Sequence, residues 1–234
     1  MAANTTTFAT RLREATSRHH ARAEHGTVVT DLVAGRLPLQ AYAALASQHW
    51  FLYEALERVA EDHLDDVLAG PFVDPRLHRL PHLQADLAHL LGPDWGERIR
   101  PLPATERYVR RIETVAARSA PAFVAHHYTR YLGDLSGGQA IAASLRRTYG
   151  LPGFTGTAFY VFADLRTPRD AKTAYRDLLD TTPFTPAQQQ ELIDECGVAY
   201  LCNTAVFADL ATSMHDAVVA PAVEAPARAE GPGA

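Results

Sequence analysis

The residues best suited to chemistry lie between Val124 and Gln139, V-A-H-H-Y-T-R-Y-L-G-D-L-S-G-G-Q. Val124, Tyr128, Tyr131, Leu132 and Leu135 recur at spacings of three and four, the signature of an amphipathic helix, yet Gly133, Gly137 and Gly138 stand inside it. Each interior glycine costs about 1 kcal/mol of helix preference against alanine, so the three together give up about 3 kcal/mol. On a helix Gly133 and Gly137 stack one turn apart with Gly138 beside them, a flat strip of bare main chain. Small residues four apart also allow close packing of another helix. A packing strip has no need of the acid beside it, Asp134, or of Arg130 one turn earlier, whereas a flat ligand undergoing acid-assisted chemistry needs both a bare surface and a proton source.

A second constellation occupies A-T-S-R-H-H-A-R-A-E-H, residues 15–25, with Arg13 just before it. On a helical wheel His20 falls roughly 20° from Arg13 and 40° from Glu24, so the three share a stripe beside the apolar face of Phe8, Leu12, Ala15 and Ala23. His19 lies nearer the middle of that face, and spacing alone favours it as the inward imidazole. Metal-ligand chemistry favours His20, because a ligating imidazole has its second ring nitrogen held by a carboxylate or carbonyl, and Glu24 stands one turn along. His25 has no assignment.

These two segments resemble the heme oxygenase family, R-Y-L-G-D-L-S-G-G-Q its distal helix and A-T-S-R-H-H-A-R-A-E-H its proximal helix. The resemblance implies an all-α, single-domain fold with heme b held between a proximal and a bent distal helix, His20 on the iron, and Glu24 behind it. It implies that Gly133, Gly137 and Gly138 let α-helical backbone lie close to the ring and crowd bound O2 toward one edge. Arg13 on one side and Lys172 and Arg176, in K-T-A-Y-R, on the other would grip the propionates, with Tyr128 nearby. Tyr53, within Q-H-W-F-L-Y-E-A-L-E, would supply a distal hydroxyl, and Asn203 and Phe207 would face the pocket. Asp134, about 100° around the helix from Gly133, would pass protons through a water bridge, with Arg130 and Tyr53 holding the acid and its waters.

The activity implied is oxidative cleavage of heme to biliverdin with release of ferrous iron and carbon monoxide, using O2 and electrons from a ferredoxin or a flavoprotein reductase. A heme carrier that never degrades its ligand is the alternative; it would need His20 and the clamp but not Asp134. A di-iron helical protein is a further one, and it needs E-x-x-H pairs, of which this chain has none, only D-L-A-H at Asp86 to His89.

Those residues must be positioned by helices. The 234 residues, 47% hydrophobic and 21% charged, suffice for one sizeable core or at most two small ones, and no composition shift marks a domain boundary. A formal charge of −5 without a basic run argues against nucleic acid or an anionic membrane surface as partner. Cys196 and Cys202 form no C-x-x-C and are expected to remain thiols in a reducing cytoplasm. No window reaches 18 apolar residues in a row and the first 20 residues lack a signal-like apolar core, so a cytoplasmic protein without a membrane span is expected.

Thr5 to Thr7 offer caps for a first helix ending near Gly26, and Pro38 opens a second with Leu45, Trp50, Leu52, Tyr53 and Leu56 as its apolar band. A helix is expected from about Pro81 to Leu91, and Pro101 and Pro103 bound a loop before a short helix over Tyr108 to Ala117. Ser119 and Pro121 start the glycine-bearing helix, which ends near Gly150, with His126 and His127 structural or exposed. Residues 151–170 form a loop whose Phe154, Phe159, Tyr160 and Phe162 make a packed aromatic patch. Lys172 and Arg176 follow on a short helix, and Thr185 with Gln188 opens the last, which runs to about Asp216. No strand signal or repeat appears. The expected organisation is a heme oxygenase domain over 1–216 and a disordered Ala/Pro/Gly-rich tail over 217–234.

Overall fold

The structure, a computed structural model, describes residues 6–24 and 27–219, with side chains described for 6–17 and 28–215. Among these residues there is no strand. The α-helices are α1 (Phe8–Glu24), α2 (Thr27–Val33), α3 (Leu39–Asp62), α4 (Leu80–Leu91), α5 (Trp95–Arg98), α6 (Pro103–Thr114), α7 (Ala120–Tyr149), α8 (Pro168–Thr181) and α9 (Pro186–Val219), joined in places by single 3₁₀ turns. No helix among the described residues is long and apolar enough to cross a membrane.

The spine is α7. Every residue from Pro121 to Leu132 is buried, which is the behaviour of a helix surrounded on all sides, and α9, α3, α8 and α2 pack around it. Its ends are set locally. Ser119 Oγ accepts from the Ala122 amide at 3.3 Å, and Gly150 closes the helix at φ +67°, a left-handed position that glycine takes without steric cost. A reciprocal capping box starts α9: the Thr185 amide donates to Gln188 Oε1 at 2.9 Å and the Gln188 amide to Thr185 Oγ1 at 3.3 Å.

Three features depart from the sequence reading. The helix expected from Tyr108 begins at Pro103 instead, because proline at the first helical position loses no hydrogen bond and the Ala104 amide is taken by Asp209 Oδ2 from α9 at 2.7 Å. That helix ends at Thr114, and Ala116–Arg118 is a separate 3₁₀ turn. In the 151–170 loop Phe159, Tyr160 and Phe162 are buried, but Phe154 is 56% exposed, with the Arg146 guanidinium 4.7 Å from its ring centre. The short helices α2 and α5 carry no capping or periodicity signal strong enough to have been foreseen. Residues 220–234, most of the expected tail, lie outside the described residues.

The loop is pinned by Asp86 of α4, whose two carboxylate oxygens accept from the Ala158 and Phe159 amides, each at 2.8 Å. This fixes Phe159 and Tyr160 behind α7. His126 and His127 are both buried and structural: His127 Nδ1 pairs with the Tyr175 hydroxyl at 2.9 Å, and His126 Nε2 with Glu195 Oε1 at 2.8 Å.

Glu195 ties three helices together, since Arg111 of α6 also gives it two hydrogen bonds, both 2.6 Å. Burial alone would raise its carboxyl, but the hydrogen bonds from His126 and Arg111 outweigh burial and bring it from 4.5 down to about 2. A carboxyl depressed in the folded state contributes stability that is fully present above about pH 4.5 and disappears as pH falls toward 2. At neutral pH this contribution is on the order of 3 kcal/mol. The stability gap between the native chain and Glu195→Gln, read from denaturant midpoints, is therefore expected to narrow steadily as pH drops from about 6 to about 2.5; a constant gap would show that the network does not depend on the charge.

Candidate functional site

The cavity of interest, about 420 Å³, opens along the middle of α7 and is walled by Val29, Leu45, Ile141 and Phe207 among apolar residues, and by Asp134, Arg130 and Asn203 among polar ones. Both Gly133 and Gly137 line it. A Cβ built on Gly133 would meet no atom within 4 Å, and one on Gly137 only the Ile141 Cδ1 at 4.0 Å, so the bare backbone there faces space and not a neighbouring helix.

Gly138 does a different job. Its Cβ would come within 2.7 Å of Tyr160 Cδ1, so this glycine makes room for the loop aromatic, and it corrects the expectation that all three glycines form one ligand-facing strip. Opposite outcomes are expected for the two kinds of glycine. Gly133→Ala should raise the stability of the ligand-free protein by up to about 1 kcal/mol, the ordinary helix-propensity gain. Gly138→Ala should lower it by about 1–3 kcal/mol through overpacking against Tyr160. Thermal unfolding of the two variants checks this; equal signs would mean that Tyr160 moves aside freely.

The polar groups form a cluster in which Tyr53 and Arg130 are buried and Asp134 and Asn203 half-buried. Tyr53 is fully buried and donates its hydroxyl to Asp134 Oδ2, so the tyrosine holds the acid directly. Burial pushes the Asp134 carboxyl upward, with Arg130, the Tyr53 hydroxyl and Arg79 pulling the other way. The net effect is upward, so the folded protein favours the protonated carboxyl more than water does. Burial also keeps Tyr53 firmly protonated. Arg130 is buried too, and it gives its hydrogen bond to Asn203 Oδ1 of α9 at 2.8 Å while its guanidinium sits 5.1 Å from the centre of the Tyr53 ring. The acid is thus hydrogen-bonded by Tyr53, and Arg130 acts on it through charge while anchoring Asn203. Asn203 and Phe207 both line the cavity, delivered by α9.

At the side of the site, Tyr128 is nearly buried against the Tyr175 ring, 6.1 Å between centres. Burial pushes its hydroxyl up to about 12, and Arg176, a hydrogen bond with Thr16, and Arg13 oppose that rise. Arg13 of α1 and Arg176 of α8 therefore both act on one hydroxyl although 163 positions separate them. Lys172, one turn before Arg176, donates to Ser136 Oγ at 3.4 Å, and Ser136 is itself in the cavity wall. Among the described residues none of these three cations forms an ion pair.

His20, Glu24 and the neighbouring His19 stand on the backbone of α1, but their side chains lie outside the described residues, as does His25 altogether. Among the wall residues that the sequence did not assign to the site are Tyr160 and His49. Tyr160 comes from the loop, where no periodicity points to a face. His49 stands four positions before Tyr53 on α3, a spacing that places the two side chains on one face and was the available signal.

The set fits a flat, mostly apolar ring carrying carboxylates. Side-chain-free backbone faces the cavity, hydrocarbon lines most of it, one raised acid stands beside the glycines, and Lys172 reaches the wall through Ser136.

Comparison with known proteins bears on the same residues. The heme oxygenase family model matches residues 6–209. Heme oxygenase 2 of Synechocystis sp. is 36% identical over 208 residues, 88% of this chain and 83% of that protein. A heme oxygenase of Rhodella violacea is 34% identical over 205 residues, 88% of this chain and 87% of that protein. The crystal structure of heme oxygenase-1 from the cyanobacterium Synechocystis sp. in complex with heme superposes with a TM-score of 0.85 at 32% identity, covering 91% of this chain and 96% of that one.

Proposed function

This chain belongs to the heme oxygenase family, and from that premise we propose how its own residues carry out the reaction. The protein cleaves heme oxidatively, using O2 and external electrons, to a biliverdin-type product, iron and carbon monoxide. Heme, when bound, is both the substrate and the centre that takes up and activates O2.

The observation that carries the reading is the pairing of a side-chain-free stretch of α7, Gly133 and Gly137, with a carboxyl of raised proton affinity at Asp134. The two glycines would let the helix approach the ring face closely and restrict the room above it, a steric control over where a small molecule can lie. Asp134, fixed by Tyr53, holds a proton and releases it through water into the cavity. Arg130 keeps the cluster positively biased and, through Asn203, locks α9 to α7 at the cavity wall. Arg13, Lys172, Arg176 and the Tyr128 hydroxyl grip the propionates and thereby set the rotation of the ring in its plane. His20, backed by Glu24, would hold the heme iron. The electron donor is a ferredoxin or a flavoprotein reductase, the compartment is the cytoplasm, and residues 1–216 make up the catalytic unit.

Anaerobic titration with hemin, followed by reductant and air with chromatography of the products, tests this. A linear tetrapyrrole with loss of the Soret band is the expected result. A stable Soret band through repeated cycles of reductant and air would mark a carrier that binds heme without degrading it.

A further inference from the structure

Four buried side-chain polar atoms among the described residues have no hydrogen-bond partner, and two of them, His49 Nε2 and Arg130 Nε, belong to residues that line the one cavity described above. An unpaired buried polar atom is unfavourable, and the hydrocarbon of the surrounding α3 positions, Leu45, Leu52 and Leu56, would fill the same place without that cost. A histidine held there therefore calls for an explanation other than packing.

The imidazole is also held in place. His49 is 6% exposed, its ring lies 5.1 Å from Phe159 and 6.5 Å, edge-on, from Tyr53. Phe159 in turn is fixed through its amide by Asp86, so the ring is backed by a rigid loop and not by a mobile one. Burial, aided by Arg130, keeps the imidazole neutral, which leaves it one donor and one acceptor. The titratable groups around it are Arg130 and Asp134 from α7, Tyr53 one turn along α3, and Tyr160 and Tyr200 elsewhere in the cavity wall. Tyr53 is committed to Asp134 and the Arg130 Nη1 to Asn203, whereas His49 Nε2 and Arg130 Nε are buried without a partner among the described residues.

We propose that His49 is a positioning residue of the heme cavity, whose imidazole orders the water through which the Asp134 carboxyl exchanges protons. This rests on the heme reading given above. It adds a second proton-handling side chain, from α3, to the acid on α7, and neither is within the other's segment of sequence.

The test compares the full chain with His49→Leu and His49→Gln, each loaded with hemin. Leucine is expected to fold and to bind hemin within about threefold of the native affinity, since it fills the wall with hydrocarbon. It should shift the midpoint of the pH-driven change in the visible spectrum of the ferric complex by about one pH unit and lower the rate of biliverdin formation by about tenfold, the low end of a lost proton-transfer partner. Glutamine, which keeps a donor and an acceptor, should return both readouts most of the way. An unchanged midpoint and rate in His49→Leu, or equal losses in the leucine and glutamine variants, would overturn the assignment and leave a buried packing histidine. Should the leucine variant not fold, the glutamine variant alone decides, through near-native or lost values of the same midpoint. Refusal of hemin by the native chain is a different failure, that of the heme reading itself.

Discussion

Asp134→Ala is expected to keep hemin binding and to lose biliverdin formation by about 10²–10⁴-fold, the range spanned by a missing general acid. Heme affinity should survive because the largely apolar wall remains, and it does not depend on this carboxyl. What disappears is the one acid among the described residues of the wall, together with the acceptor for the Tyr53 hydroxyl. Asp134→Asn separates the two losses. Asparagine retains an oxygen for Tyr53 and nearly the same shape, but it holds no exchangeable acid proton, so it should be as inactive as alanine while restoring the stability that alanine gives up. Product chromatography under single-turnover conditions measures this. Native yields of biliverdin from Asp134→Ala would remove the carboxyl from the reaction, and an active asparagine variant would reduce its role to holding Tyr53.

The other large effect concerns the opening helix. His20→Ala should abolish the axial-imidazole signature in the absorption and magnetic spectra of the ferric complex and lower turnover by more than about 100-fold, whereas His19→Ala should leave both close to native. The geometry behind this is the i, i+4 relation of His20 to Glu24, which gives the far ring nitrogen a carboxylate to donate to; His19 has no such partner in the sequence. Added imidazole should restore turnover to His20→Ala, since the vacated position accepts a small ligand. The reverse pattern, with His19→Ala losing the signature, would show that the centre of the apolar face decides the ligand and that the carboxylate one turn away does not.

Much of this protein was readable from local sequence because helix ends and helix faces are local properties. Ser119 with Gly150, and Thr185 with Gln188, announce the ends of α7 and the start of α9 through hydrogen bonds that span three or four residues, and the structure forms them. The buried band of α3 follows from spacing alone. The one misjudged helix start, at Pro103, involves an amide answered by Asp209, more than a hundred positions away, which no local pattern contains.

The same division runs through the site. That Gly133, Asp134 and Gly137 share a region of one helix is a matter of spacing, and the chain by itself determined it. Which glycine faces a ligand and which makes room for Tyr160 was decided only when the 151–170 loop folded back under the hold of Asp86. Tyr53 reaching Asp134, Arg130 reaching Asn203, Lys172 reaching Ser136, and His49 entering the wall are likewise products of packing between distant segments. The physical reason is that a helix's face is encoded by its own periodicity, whereas the neighbour pressed against that face is selected by how all the apolar surfaces bury one another at once.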